Sequence, residues 1–227
     1  MKIKAGLDAL EIKYAPDAPE RLERYLDLLF IKNEKMNLTA VNNREEAVVL
    51  HILDSAALFK FADMSGSSLI DVGSGAGLPG MALKIIDPTI RLTFLDSQQK
   101  RVDFLRECCE EIGLPEVYFV CARAEEYAGE FDFATARAVA KLNVLCELCL
   151  PLLSKDGRFL AMKAQNSAEE IADAQNAIKT LGGEMLAVHS YDIPGMDISR
   201  RVVDIKKTGS TPEKYPRRYA KIIKNPL

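Results

Sequence analysis

The stretch LIDVGSGAGLPG at residues 69–80 constrains the fold of this chain more than any other. An apolar run ends in an acid, three glycines follow at alternate positions, and Pro79 precedes an apolar pattern with helical spacing. Glycine lacks a Cβ, so such a turn can adopt positive φ and let a ligand lie against the backbone. Proline suits a first helical turn, where its missing N–H costs no hydrogen bond. The sequence therefore predicts a strand at 68–72, a tight turn at 73–77 and a helix N-terminus, which together form a nucleoside or anion cradle.

The register of the glycines distinguishes between two ligands. Gly75, Gly77 and Gly80 form a literal G-x-G-x-x-G, which is the dinucleotide fingerprint. Gly73, however, already holds the place directly after the strand, and Asp71 puts a carboxylate at the strand tip, where it would repel a pyrophosphate. The cationic amino-acid end of S-adenosylmethionine would be attracted there. The pattern favours this methyl donor over a dinucleotide and over a turn that binds nothing.

Length and composition are those of an ordinary globular protein, with 227 residues, of which 48% are hydrophobic. No apolar run approaches the ~20 residues of a membrane helix, and the N-terminus leads into no signal-peptide core, so we expect a cytoplasmic protein without a membrane partner. Five cysteines, an odd number, indicate reduced thiols. Cys146 and Cys149 fall on the apolar face of a predicted helix and lack further ligands, so we expect no metal site.

The order of apolar patterns predicts the fold class. Two helical patterns precede the first strand. One begins at residue 20 and frays at 33–39, and the other is capped by Asn42 or Asn43. Strands then alternate with helices up to a final pair, which is joined by a Pro-Gly loop. This alternation is typical of an α/β, Rossmann-like class I methyltransferase fold, a seven-stranded doubly wound sheet whose last strand pair is antiparallel. We expect residues 1–62 to form an N-terminal helical cap and residues 63–227 the S-adenosylmethionine-binding domain. The predicted strands are 68–72, 91–95, 116–121, 131–135, 158–163, 185–191 and 201–206.

Polar residues follow the predicted strands at their carboxyl ends. Asp96 ends the second strand about 20 residues beyond the turn, where an acid can accept both ribose hydroxyls or else cap the next helix. Ala124 and Glu125 follow the third strand, where they would lie beside the adenine or merely cap a helix. Arg137 ends the fourth strand and offers a planar fork for phosphate, carboxylate or a guanine edge, unless it forms a structural ion pair.

A polar group on one helix and a basic C-terminal segment are candidates for binding the substrate. His51, Asp54 and Ser55 fall on one helix, where Asp54 cannot orient the imidazole for a triad, so a polar patch facing the cleft is favoured over nucleophilic catalysis. From Arg200 onward, the chain has nine Lys or Arg and two acidic residues, a net charge of +7. Because the net charge of the whole chain is −3, residues 1–199 carry −10. A basic tail on an acidic body favours contact with a polyanion over a merely solvated tail.

These residues together form an ordered set of motifs. The chain resembles the ribosomal RNA small subunit methyltransferase G family, also called glucose-inhibited division protein B, over roughly residues 20–227. The motifs are NEKMNLT (33–39), HILDS (51–55), DVGSGAGLPG (71–80), DS (96–97), RAE (123–125), TARAVA (135–140) and TPEKYPR (211–217), before the final NPL. Lys32 and Leu78 stand where the family usually has Trp and Phe.

The resemblance implies S-adenosylmethionine-dependent methylation of N7 of one guanine in bacterial 16S rRNA, with the rRNA or the small ribosomal subunit as partner. Guanine N7 has a lone pair and no proton, so positioning and electrostatics can carry the reaction without a general base. Residues expected on the donor side are Asp71, Gly73, Gly75, Gly77, Leu78, Asp96, Ala124, Glu125 and Arg137. Residues expected to bind the RNA are Asn33, Asn37, His51, Asp54, Ser55, Lys163, Arg217 and Arg218.

Two other functions stay open at this point. A methyltransferase acting on a protein or a small molecule would share the fold but would not need the basic end of the chain. A non-catalytic nucleotide-binding RNA factor would share the turn but would transfer no methyl group. The oligomeric state is not encoded in any pattern described above.

Overall fold

A computed structural model describes residues 2–137 and 139–227 of the chain. These residues form a seven-stranded sheet with strand order β3-β2-β1-β4-β5-β7-β6. Strands β1 to β5 run parallel, and β7 is antiparallel to both of its neighbours. The strands are β1 Ser68–Val72, β2 Arg91–Asp96, β3 Val117–Cys121, β4 Phe131–Arg137, β5 Leu153–Ala164, β6 Gly183–Asp192 and β7 Ser199–Lys207.

Helices cover both faces of the sheet, as the crossovers between parallel strands require. Short 3₁₀ turns at Ala57–Lys60, Ala124–Glu126 and Leu150–Leu152 join some of them to the strands. The helices are α1 Ile3–Ala9, α2 Ala18–Met36, α3 Arg44–Ala47, α4 Asp54–Ala56, α5 Gly80–Ile86, α6 Gln99–Ile112, α7 Leu142–Cys149, α8 Ala168–Asp173, α9 Gln175–Thr180 and α10 Tyr219–Lys224.

The helices before β1 differ from the expectation in two places. Helix α2 does not fray at Asn33 but continues to Met36 and ends at Asn37, whose φ of 49° is the left-handed conformation that asparagine tolerates. The helix predicted next begins as expected, because the Asn43 side chain accepts a hydrogen bond from the Glu46 N–H. A π-helical turn at Val48–Leu53 then connects α3 to α4.

Two hydrophobic cores hold these layers together, one on each face of the sheet. Helices α1 to α4 share the first core with α5, α6 and residues of β1 and β2, so the helical layer packs on the sheet over a continuous apolar surface. Helices α7 to α9 cover the other face, where Cys146 and Cys149 are fully buried. Helix α7 ends at Cys149, and strand β5 begins at Leu153, five residues before the strand predicted at 158–163.

The strand order reverses between β1 and β4, whose crossovers leave in opposite directions. In doubly wound sheets the ligand binds at the carboxyl ends of the strands beside this point. The turn that follows β1 and the end of β4 therefore mark the place for a site. None of the helices in the described ranges is sufficiently long and apolar to traverse a bilayer.

Candidate functional site

A cavity of about 900 Å³ lies at the carboxyl ends of β1, β2, β4 and β5. This volume is at the upper end of the range typical of ligand pockets, about 300–1,000 Å³. One wall is made by the glycine turn and the segments after β2 and β3, and the opposite wall by residues 38–41 and the π-helical turn. Its lining includes Thr39, His51, Asp54, Gly73, Gly75, Leu78, Asp96, Ala124, Glu125, Arg137, Lys163, Arg200 and Tyr219.

The glycine turn has the predicted backbone conformation. The φ angles of Gly73, Gly75 and Gly77 are 70°, 55° and 97°. At Gly75 a Cβ would meet only the Gly73 carbonyl oxygen, at 3.8 Å, so the turn leaves open space on the cavity side. A nucleoside-sized ligand can therefore approach the backbone closely at this point, as the sequence predicts.

Asp71 does not face the cavity, which corrects the expectation that its carboxylate meets the ligand directly. The side chain is fully buried, and its Oδ2 accepts the Gly80 N–H over 3.0 Å. A Cβ on Gly80 would come within 2.8 Å of this oxygen, so the missing side chain lets the carboxylate lie against the start of α5. Burial, only partly opposed by the Gly80 hydrogen bond and Arg137, raises the pKa of Asp71 to about 7.

Asp96 lines the cavity but is also bound to the backbone around it. Its Oδ2 accepts the Gly75 N–H and its Oδ1 accepts the Gln98 N–H, each over 2.9 Å. The carboxylate thus fixes the glycine turn relative to the start of α6. Because a carboxylate offers about four lone-pair sites, acceptor capacity remains for hydroxyl groups of a ligand.

The segment after β3 contacts the C-terminal part of the chain. Ala124 and Glu125 lie in a 3₁₀ turn at the cavity wall, and the Glu125 carboxylate accepts the backbone N–H of Tyr219 over 3.1 Å. Tyr219 itself lines the cavity at the start of α10. The end of the chain therefore forms part of the wall.

Arg137 lies at the end of β4 and joins the helical layer to the sheet. Its Nη1 donates to the Leu50 carbonyl over 2.9 Å and lies 3.4 Å from Asp54 Oδ2. Its Nη2 lies 3.5 Å from His51 Nδ1. Asp54 also accepts the Tyr191 hydroxyl proton at Oδ1 over 2.7 Å, with Arg200 Nε 3.9 Å away. The guanidinium is thus held in a fixed orientation at the cavity.

The imidazole of His51 is neutral in this environment. Burial, followed by the positive charge of Arg137, lowers its pKa to about 4, against the weaker effect of a backbone contact with Leu50. Its Nε2 lies 2.8 Å from Thr39 Oγ1. Ser55 is fully buried and its hydroxyl donates to the His51 carbonyl, so it neither lines the cavity nor forms a triad.

Asn33 and Asn37 act on the shape of the cavity wall rather than at its surface. The Asn33 side chain donates to the Thr39 carbonyl over 3.0 Å and accepts the Thr39 N–H over 2.9 Å. Asn37 ends α2 in the left-handed conformation and is exposed. Together these two residues fix the turn that carries Thr39.

The basic residues expected to bind RNA separate into two groups. Arg217 is corrected from a phosphate contact to a structural anchor, because its Nε lies 2.8 Å and its Nη2 2.5 Å from the carboxylate of Glu147, whose side chain is fully buried. Lys163 lines the cavity, but its Nζ donates to Glu170 over 2.6 Å and to the Ala140 carbonyl over 2.8 Å. Arg218 is exposed at the N-terminus of α10.

The two residues that differ from those usual in the family have local contacts. Lys32 pairs with Glu107 of α6 over 2.6 Å, so it links two helices at the surface. Leu78 is buried and lines the cavity. Ala138, part of the TARAVA motif, lies outside the described residues. Across the described ranges, no group of three or more His, Cys, Asp or Glu is arranged to hold a metal ion.

Four residues at the cavity or bound to its wall were not singled out from the sequence: Thr39, Tyr191, Arg200 and Tyr219. Thr39 could have been found, since it ends the NEKMNLT motif. Tyr191 and Arg200 carry no local signal, because they are brought to Asp54 only by the hairpin of β6 and β7.

Solved structures with a similar fold are methyltransferases in several cases. A methyltransferase from Pyrococcus furiosus has a TM-score of 0.55 at 14% identity, over 84% of this chain and 99% of that chain. TrmN from Thermus thermophilus has a TM-score of 0.51 at 23% identity, over 67% of this chain and 48% of that chain. These similarities establish the fold of the chain.

The family is shown by the sequence comparisons. A family model described as rRNA small subunit methyltransferase G matches residues 18–200. Relatives described as ribosomal RNA small subunit methyltransferase G include one from Alkaliphilus oremlandii, 43% identical over 99% of this chain and 97% of its own length. Another, from Lactococcus lactis, is 40% identical over 98% of this chain and 97% of its own length. The chain belongs to the rRNA small subunit methyltransferase G family.

Proposed function

We propose that this S-adenosylmethionine-dependent methyltransferase transfers its methyl group to N7 of a specific guanine in the 16S rRNA of the small ribosomal subunit. The observation that carries the proposal is the identity of 40–43% to methyltransferase G relatives over nearly the whole chain. The cavity at the switch point of the sheet, bounded by the glycine turn, supports it independently.

The residues present fit the methyl donor. The open space at Gly75 is a cradle that a side chain would fill, and Asp96 retains acceptor capacity for ribose hydroxyls. Ala124 and Glu125 would border the adenine, and Leu78 would fill the pocket beside the turn. Asp71 contributes indirectly, by holding the Gly80 N–H and with it the start of α5. Bound S-adenosylmethionine supplies an electrophilic methyl group on a sulfonium.

The side chains on the opposite wall suit a mechanism without a general base. Guanine N7 carries an in-plane lone pair and no proton, so no residue has to remove one. His51 is neutral but buried between Thr39 and Arg137, which makes it part of a fixed network. Arg137 and the groups around it orient the base and stabilise the reacting arrangement by positioning.

The RNA-binding role falls to cationic side chains that are at least partly exposed. Arg218 is exposed beside the cavity wall formed by α10, and Arg200 lines the cavity while remaining partly exposed. Cationic side chains at such positions contact phosphates and fix the register of the RNA. With 16S rRNA as its substrate, the protein would act in the cytoplasm, where ribosomes are assembled.

Two measurements test the proposal in sequence. Calorimetry should show binding of S-adenosylmethionine and no comparable binding of NAD. Mass mapping of rRNA from a strain lacking the protein should then show the loss of one 7-methylguanine, restored when purified protein and donor are added to its small subunits. Donor binding without any change in rRNA would favour a protein or small-molecule substrate. RNA binding without donor binding would favour a non-catalytic factor.

A further inference from the structure

The Thr39 side chain has an unusual set of hydrogen-bond partners for a residue that lines the cavity. Its Oγ1 accepts the backbone N–H of Val41 over 3.1 Å and lies 2.8 Å from His51 Nε2. The backbone of Thr39 is fixed by both polar atoms of the Asn33 side chain. The hydroxyl is therefore held in one place at the cavity wall.

The contact with Arg137 favours one of the two neutral tautomers of His51. A guanidinium can only donate hydrogen bonds, and its Nη2 lies 3.5 Å from His51 Nδ1. If Nδ1 accepts this proton, the neutral imidazole carries its own proton on Nε2. The low pKa of His51 keeps the ring neutral at physiological pH. In this tautomer Nε2 donates to Thr39 Oγ1.

The direction of these hydrogen bonds leaves only the hydroxyl proton of Thr39 without a partner among these residues. A hydroxyl has two acceptor lone pairs and one donor proton. The two lone pairs of Thr39 Oγ1 receive the protons of Val41 N and His51 Nε2. Its own proton is then available to an acceptor in the cavity.

The chemistry of guanine supplies such an acceptor. The edge that carries N7 presents O6 as a second acceptor, whereas adenine has an amino donor at the same place. N7 has to stay free for the methyl group, so the enzyme must read this edge through O6. The Nη1 of Arg137 is not free to donate a hydrogen bond to O6, because it is directed at the Leu50 carbonyl and Asp54.

We propose that the Thr39 hydroxyl donates a hydrogen bond to O6 of the target guanine and thereby selects guanine against adenine. This inference rests on the proposed function, because it requires a guanine in the cavity. Thr39 is a specificity-determining residue in this scheme, and Arg137 and His51 are positioning residues that set the direction of its hydrogen bond.

The test compares two small subunits reconstituted from synthetic 16S rRNA. One carries guanine at the methylated position and the other carries 2-aminopurine, which keeps N7 but lacks O6. We expect wild-type kcat/KM to be at least tenfold higher for guanine, because one hydrogen bond of about 1.4 kcal/mol alone gives a factor of ten. Thr39→Val should lower this ratio about tenfold, and Thr39→Ser, which keeps the hydroxyl, should preserve it.

Controls separate this inference from the proposed function and from misfolding. If the wild-type protein methylates no guanine, the proposed function fails. If it methylates guanine and Thr39→Val keeps the wild-type ratio at unchanged donor affinity and melting temperature, the role of Thr39 is refuted. Should Thr39→Val fail to fold, wild-type protein that does not distinguish guanine from 2-aminopurine refutes the inference.

Nitrogen-15 NMR on the wild-type protein gives an independent check. The chain has two histidines, so the His51 signals can be assigned by comparison with a His189→Gln variant. We expect the neutral tautomer with the proton on Nε2. A proton on Nδ1 would mean that Thr39 donates to His51 instead, and would overturn the inference.

Discussion

The Tyr191 hydroxyl donates a hydrogen bond of 2.7 Å to Asp54 Oδ1, across 137 positions of sequence. Tyr191 lies on β6 and Asp54 at the start of α4, directly after the π-helical turn, so the bond joins the sheet to the helical layer beside the cavity. The other oxygen of Asp54 lies 3.4 Å from Arg137 Nη1. The orientation of Arg137 thus depends on a tyrosine that does not touch it.

Tyr191→Phe should lower the rate of methyl transfer without weakening donor binding. Asp54 loses a hydrogen bond of about 1.5–3 kcal/mol, typical of bonds to a charged group, and is then free to turn away from Arg137. Single-turnover methylation at saturating donor and RNA should fall roughly 3- to 10-fold. Tyr118→Phe, at a tyrosine 55% exposed on the edge strand, is the matched control. Equal rates for both variants would remove Tyr191 from the positioning network.

Gly75→Val should abolish binding of S-adenosylmethionine while the fold persists. The side chain would enter the open space at the cavity and would occupy positive φ, which costs about 1–2 kcal/mol. Gly66→Val isolates that backbone cost, because Gly66 also has positive φ, 69°, and a Cβ there would have no neighbour within 4 Å. Calorimetry should show lost affinity for Gly75→Val and wild-type affinity for Gly66→Val. Retained affinity in both would place the donor elsewhere.

Asp96→Ala should weaken the donor by about 1–3 kcal/mol and also lower the melting temperature. Both effects are expected, because the carboxylate holds Gly75 and Gln98 as well as lining the cavity. Asp132→Ala is a suitable control, since Asp132 likewise accepts a backbone N–H, that of Ser68 over 2.8 Å, but does not line the cavity. Loss of stability alone in both variants would leave Asp96 with a purely structural role.

Arg217→Ala and Arg218→Ala should fail in different ways. Removing Arg217 leaves Glu147 buried and unpaired, which costs about 3–5 kcal/mol of unfolding free energy. Removing both Arg217 and Glu147 should recover much of that loss.

Arg218→Ala should leave the melting temperature unchanged and weaken RNA binding. It should also reduce the dependence of RNA affinity on salt concentration by about one phosphate contact. Filter binding at two salt concentrations measures this dependence. The same dependence in Arg218→Ala and wild type would exclude Arg218 from the RNA interface.

Asp71 should make the protein less stable as the pH rises from about 4 to about 7. The pKa of Asp71 is about 7 in the folded protein, against an ordinary value of 3.8, so in this window the unfolded chain has lost a proton that the folded chain retains. Asp71→Asn keeps an acceptor for the Gly80 N–H and should remove this slope. Chemical unfolding at pH 4.5 and 7.5 measures it, with Asp197→Asn, at an exposed position, as the control. Parallel pH profiles for wild type and Asp71→Asn would refute the assignment.

The fold was largely predictable, because the glycine turn and the alternation of patterns after it are local signals. The strand β1, the conformation of Gly75 and the reversed strand β7 all follow from residues close in sequence. What escaped prediction depends on distant partners. Arg217 looks like a phosphate ligand until Glu147, 70 positions earlier, is brought beneath it. Asp71 looks like a ligand contact until Gly80 is seen to close over it.

The glycine stretch also separates two kinds of damage that a mutational scan would record. A Cβ on Gly80 would lie within 2.8 Å of both Asp71 and Phe94 in the buried core, so substitutions there should reduce the amount of folded protein in the cell. A substitution at Gly75 points into open space and leaves abundance nearly normal. Cells with a Gly75 variant would therefore contain a folded but inactive protein, whereas cells with a Gly80 variant would contain little of the protein.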